Sequence, residues 1–76
     1  MREVRLKDLY LIAFLVNEEQ NIIRMENEGS KCWFIFEDTK KLNGLINDYW
    51  QNTAITNIKS YVDKVRDLKD RIFSEK

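Results

Sequence analysis

The chain reads as an α+β domain of order α-β-β-α-α, a two-stranded antiparallel hairpin packed with three helices. Three observations predict it. Residues 9–16 are an unbroken apolar run between charged flanks. Residues 21–37 hold two apolar, β-branched and aromatic segments around a glycine-containing turn. Residues 39–51 and 57–73 carry apolar side chains at helical spacing. Seventy-six residues with 43% hydrophobic and 34% charged content make one globular domain, residues 1–76. At this length a single core supplies only about 3–5 kcal/mol. One cysteine and no histidine rule out an internal disulfide or a structural zinc site, so packing or oligomerisation must supply the stability.

The first helix is expected over residues 6–19, LKDLYLIAFLVNEE. Leucine and alanine content, length and flanking charge favour helix over strand. On a helical wheel Leu11, Ile12 and Leu15 oppose Leu6, Tyr10 and Ala13. A helix apolar all round must be covered all round.

The hairpin spans residues 21–37. NIIRM and KCWFIFE flank NEGS, where Gly29 can take positive φ. A Glu28-Gly29 turn sets Arg24 opposite Trp33 and Ile23 opposite Phe34. Ile23, Met25, Cys32, Phe34 and Phe36 then share one face; Ile22, Arg24, Trp33 and Ile35 share the other. A three-residue loop shifts this pairing by one. The second strand is greasy on both faces, and the hairpin has two open edges. The Trp33 face needs a cover, from the first helix or from a second chain across a symmetric dimer.

The third element is a helix over 39–51, capped by Asp38 or Thr39, with Leu42, Leu45, Ile46, Tyr49 and Trp50 on one stripe and Asn52 as its stop. Its polar side, Asn43, Gly44, Asn47 and Gln51, carries little charge. The last helix covers 57–73, capped by Thr56 or Asn57. Ile58, Tyr61, Val62, Val65, Leu68, Ile72 and Phe73 form its apolar stripe, and Lys59–Asp63, Arg66–Asp70 and Asp67–Arg71 are i,i+4 pairs. Lys69 falls inside the apolar arc, to snorkel or to meet an acidic group in an interface.

Set in order, DLYL (8–11), WFIFED (33–38), the YW pair at 49–50 and YVDKVRDLKDRIF (61–73) resemble a family of small uncharacterised domains from bacterial and phage genomes, a domain of unknown function. The resemblance covers most of the chain, and its motifs are mainly structural. Where that family's pattern has a glycine in the turn after the first helix, this chain has Glu19-Gln20-Asn21. The resemblance brings no catalytic residues. It implies a small cytoplasmic protein carried by phages or other mobile elements.

Chemistry is sparse. Without histidine the commonest general acid–base is missing. Cys32 lies mid-strand on the core face, where a thiol is structural rather than reactive. Asp63, Asp67 and Asp70 share a helix face with Lys59, Arg66 and Arg71 among them, a solvated salt-bridged surface. No glycine-rich phosphate loop exists. The expectation is no enzyme, no cofactor and no metal. No segment is long enough to span a membrane, and one unpaired cysteine without a secretion signal fits the cytoplasm.

The expected function is therefore a non-enzymatic protein-binding module, with a homodimer as one way to cover its apolar faces. It would dock through Trp33, Ile35, Tyr49, Trp50 and Lys69; one concrete version, implied by the resemblance, is inhibition of a host defence protein. The alternative is a small dimeric nucleic-acid-binding regulator using Arg2, Arg5, Lys7, Lys40 and Lys41. Thirteen basic against thirteen acidic residues weigh against it, because phosphate binding draws on basic excess.

Overall fold

A computed structural model describes residues 2–74. The elements run β1 (Glu3–Leu6), α1 (Leu9–Asn17), β2 (Ile22–Glu28), β3 (Lys31–Glu37), α2 (Lys40–Trp50) and α3 (Ile58–Ser74). The class is the expected α+β, with helix, hairpin, helix and helix in the expected order. The sheet has three strands rather than two, in the order β1-β3-β2 and antiparallel throughout.

The extra strand comes from the residues before the first helix. Val4 and Leu6 point to the core, while Glu3 and Arg5 point outward. Leu6 thus belongs to β1, opposite Phe34. The helix starts three residues later than expected because Asp8 caps it: Oδ1 accepts from the backbone N–H groups of Tyr10 (3.0 Å) and Leu11 (3.2 Å). One edge of the hairpin is therefore closed by β1 within the chain.

The hairpin turn is Gly29-Ser30, between the paired residues Glu28 and Lys31. Gly29 has φ +63° and Ser30 does not share it, the pattern of a turn with glycine at its first central position. The register is two residues away from the Glu28-Gly29 expectation: Met25 faces Phe34, Glu26 faces Trp33 and Arg24 faces Ile35. A bulge between Ile22 and Arg24 then exchanges the faces of the two isoleucines' stretch, putting Ile22 opposite Phe36 on the core side.

All three helices lie on one face of the sheet. The thinnest dimension, 18 Å, is that of one sheet backed by one helical layer. Leu11, Ile12, Ala13, Phe14 and Leu15 are all buried, as an all-round apolar helix requires. The sheet covers α1 on one side, and α2 and α3 pack against it. Segment 51–57 places Ala54 on the core and brings Thr56 and Asn57 to the C-terminal end of α1. There Asn17 Nδ2 donates to Thr56 Oγ1 (2.7 Å) and to the Asn57 carbonyl (3.2 Å), while the Thr56 hydroxyl donates to Glu18 (2.8 Å).

Two helices end in the same way. Glu19 (φ 68°) and Asn52 (φ 62°) are left-handed. The next N–H, of Gln20 or Thr53, reaches back to Leu15 or Asp48 at 2.9 Å in each case. This is a Schellman closure. Asn52 is the expected stop; Glu19 takes the left-handed position in the turn where a glycine was expected. Thr39, not Asp38, caps α2, and Asn57 caps α3 by accepting from Ser60 N–H at 2.9 Å.

Candidate interaction surface

The doubly apolar strand β3 is covered on its outer face by arginines. Arg5 on β1 and Arg24 on β2 flank Ile35 from opposite sides. Arg5 reaches diagonally to Glu28 (3.0 Å) and Glu26 (3.6 Å). Its guanidinium lies 4.5 Å from the centre of the Trp33 ring, and Lys7 Nζ lies 5.4 Å from it. Arg24 reaches the other way, bidentate to Glu3 (2.7 and 2.8 Å) and on to Glu26 (2.9 Å). Hydrogen bonds and charge from Arg24 hold the Glu3 carboxyl below the usual carboxylate range, and Glu3 in turn pushes Arg24 up.

Beneath these straps Ile35 is 0% exposed and Trp33 is half-buried, its Nε1 shielded without an acceptor. Within the chain the cover over this face comes from the two arginines and not from the first helix. Ile35 is fully covered within the chain and has no surface left to offer a partner, against its reading as an interface candidate; Trp33, the other candidate on this face, keeps part of its surface beside Arg5 and Lys7.

The other three candidates come together on the helical layer. Tyr49, at the end of α2, packs its ring on Phe14 (6.1 Å) and meets Trp50 edge-on (5.1 Å). Asp8, Tyr10 and Tyr61 stand around it. The Tyr61 hydroxyl donates to the Tyr10 carbonyl at 3.1 Å, and Lys69 Nζ sits 5.9 Å from the Tyr10 ring. Lys69 is exposed and snorkels along this rim. Burial first, then the Asp8 charge and neighbouring phenols, push the Tyr49 hydroxyl above its ordinary value; burial and Asp8 do the same at Tyr61.

Trp50 is 59% exposed and Tyr10 50%. Beyond Trp50 the crossing segment presents Ile55, 87% exposed, and α3 presents Ile58, 76% exposed, with Val62 one turn on. Tyr10, Tyr61, Ile55 and Ile58 were not singled out as site residues from sequence. Ile58 was placed in the apolar stripe of its helix, but that helix turns Tyr61, Val65, Leu68 and Ile72 to the core and leaves Ile58 and Val62 outside. Ile58 shares the angular stripe of Tyr61 and Val65 but stands at the first position of α3, so helical periodicity gave no signal of its exposure.

The basic candidates are divided. The Arg2 carbonyl accepts from Asp38 N–H at 3.0 Å, two residues before Lys40 begins α2. Arg5 and Lys7 lie over Trp33, with Arg5 neutralised by two glutamates. Cys32 is half-buried and packs against the core. Lys59 holds Asp63 at 2.9 Å and keeps its carboxyl low. No group of metal-binding side chains occurs among the described residues, and none of their helices is long and apolar enough to cross a membrane.

A family profile described as Domain of unknown function (DUF5659) matches residues 1–74, and the chain belongs to that family. No curated protein and no solved structure matches it.

Proposed function

We propose that this member of the family is a protein-binding module that contacts its partner through Trp50, Tyr10 and the ridge Ile55–Ile58–Val62. One observation carries the reading. Of the seven large apolar side chains left exposed among the described residues, six lie on the helical layer and its crossing segment, and only Ile23 lies on the sheet. On the outer face of the sheet Trp33 and Ile35 are covered by charged side chains; the six side chains of the helical layer stay exposed. A rigid indole beside tyrosines is the side-chain chemistry that dominates protein interfaces, and contiguous exposed apolar surface marks contact sites. Burying Trp50, Ile55 and Ile58 contributes about 1.5–3 kcal/mol each. Association itself costs about 4–15 kcal/mol, so the partner must bring anchors of its own.

Photocrosslinking in the producing cell tests this. A photoreactive amino acid replaces Ile58, and in a control Glu28, on the sheet side. The reading requires a discrete heterologous polypeptide captured from position 58, absent from position 28 and lost on Trp50→Ala. Crosslinks to nucleic acid, or none from position 58, would overturn it.

A further inference from the structure

We propose that the free edge of β2 is a second interface, taken by β2 of another copy of this chain in an antiparallel register centred on Met25. The two edges of the sheet differ. The β1 edge is only four residues long. The β2 edge has seven residues, IIRMENE. It contains no proline or lysine, the usual guards of an open edge, and its only irregularity is the bulge at its start. Among the described residues no backbone hydrogen bond from another element reaches this edge.

The backbone sets which registers are possible. Glu28 pairs with Lys31 across the two-residue turn, so Glu28, Glu26 and Arg24 turn their N–H and C=O groups toward β3. Met25 and Asn27, between them, turn theirs outward. A two-fold pairing must match outward groups with outward groups. Centring on Met25 does so and sets Arg24 opposite the copy's Glu26, twice, with no like charges facing. Centring on Arg24 sets that arginine against itself. Centring on Glu26 sets that glutamate against itself. Centring on Asn27 sets Glu26 against Glu28 twice. Opposite charges across a strand pair stabilise it and like charges destabilise it, so the Arg-Met-Glu triplet selects one register. Backbone bonds at Met25 and Asn27, with burial of the exposed Ile23, supply the affinity. The product is a continuous six-stranded sheet with a β1 strand at each outer edge, and the Arg24–Glu26 pairs cross the two-fold axis.

Amide exchange on the intact protein reads this directly. Between low-micromolar and millimolar protein, the Met25 and Asn27 amides slow by more than tenfold, while Arg24 and Glu26 stay protected throughout. Light scattering reports the matching monomer-to-dimer shift. Charge variants fix the register: Arg24→Glu and Glu26→Arg, each shown to be folded by circular dichroism, are separately monomeric and form a one-to-one heterodimer on mixing. Trp50→Ala leaves the dimer intact, which separates this interface from the aromatic surface. A protein that stays monomeric at millimolar concentration overturns the proposal, as does a dimer whose Met25 and Asn27 amides remain fast. A dimer that survives Glu26→Arg alone overturns the Met25 register.

Discussion

At the scale of single residues, two positions decide more than their surroundings suggest. Glu19 is an exposed non-glycine residue at φ 68°, and a left-handed backbone costs an L-residue about 1–2 kcal/mol. Glycine there removes the strain but adds unfolded-state entropy of about 0.4–1 kcal/mol. Glu19→Gly is therefore expected to raise stability by about 0.5–1 kcal/mol, seen as a higher urea midpoint at unchanged slope; a lower midpoint would contradict the strain. Trp33 is the other position. Its ring is the platform for Arg5 and Lys7. Trp33→Phe keeps a π-face and removes the N–H that lacks an acceptor, so it should cost under about 1 kcal/mol. Trp33→Arg places a third cation beneath two others and should unfold the domain. If the arginine variant keeps its helical signal and thermal transition, the lattice is not what holds this face.

At the scale of elements, α1 is the keystone. Its five consecutive buried residues touch every other layer of the core. Ile12→Ala should cost about 2–5 kcal/mol, comparable with the whole stability of a domain this size, about 3–5 kcal/mol. The variant should be largely unfolded by circular dichroism at room temperature. Gly44, mid-α2 and exposed, has nothing within 4 Å of an added Cβ. Gly44→Ala should stabilise by about 0.5–1 kcal/mol. The same elements tell what could be read in advance. The helical stripe of Leu42, Leu45, Ile46, Tyr49 and Trp50 and the all-round apolar α1 are local patterns, and both were legible. Tyr49 and Trp50 belong to that α2 stripe, and Lys69 was placed by the stripe of α3. The strand β1 was not, because four residues of alternation beside a charged terminus resemble a solvated tail, and its pairing with β3 is non-local. Asp8 before an apolar run was a cap signal that would have freed Leu6 for the strand. The adjacent Ile22 and Ile23 broke a period of two, as a bulge does. The cover over Trp33 and Ile35 could not be read, because it depends on β3 being central between two arginine-bearing strands.

At the scale of the whole molecule, ion-paired carboxylates and covered phenols titrate differently, and stability should fall at each end of the pH range for a different reason. On the sheet face Glu3 has its carboxyl lowered by Arg24, and on α3 Asp63 has its own lowered by Lys59. A lowered acid contributes stability that is present above its unfolded pKa and is lost as pH falls through the folded one. The loss therefore lies below the ordinary carboxylate range, and both groups are solvent-exposed, so added salt should weaken their contribution. On the helical face Tyr49 and Tyr61 have raised hydroxyls, mainly through burial. Their contribution is full below the unfolded phenol value, near about 10, and is lost as pH rises through the folded values. Burial is not screened, so salt should leave this limb in place. Urea midpoints measured across pH, at low and high salt, check both limbs. Glu3→Gln should lower stability at neutral pH and flatten the acid limb alone. Tyr49→Phe should flatten the alkaline limb alone, with the phenolate absorbance of the remaining buried tyrosine still late. If salt moved the alkaline limb instead, charge rather than burial would be what raises these phenols, and the aromatic surface would be wetter than its packing implies.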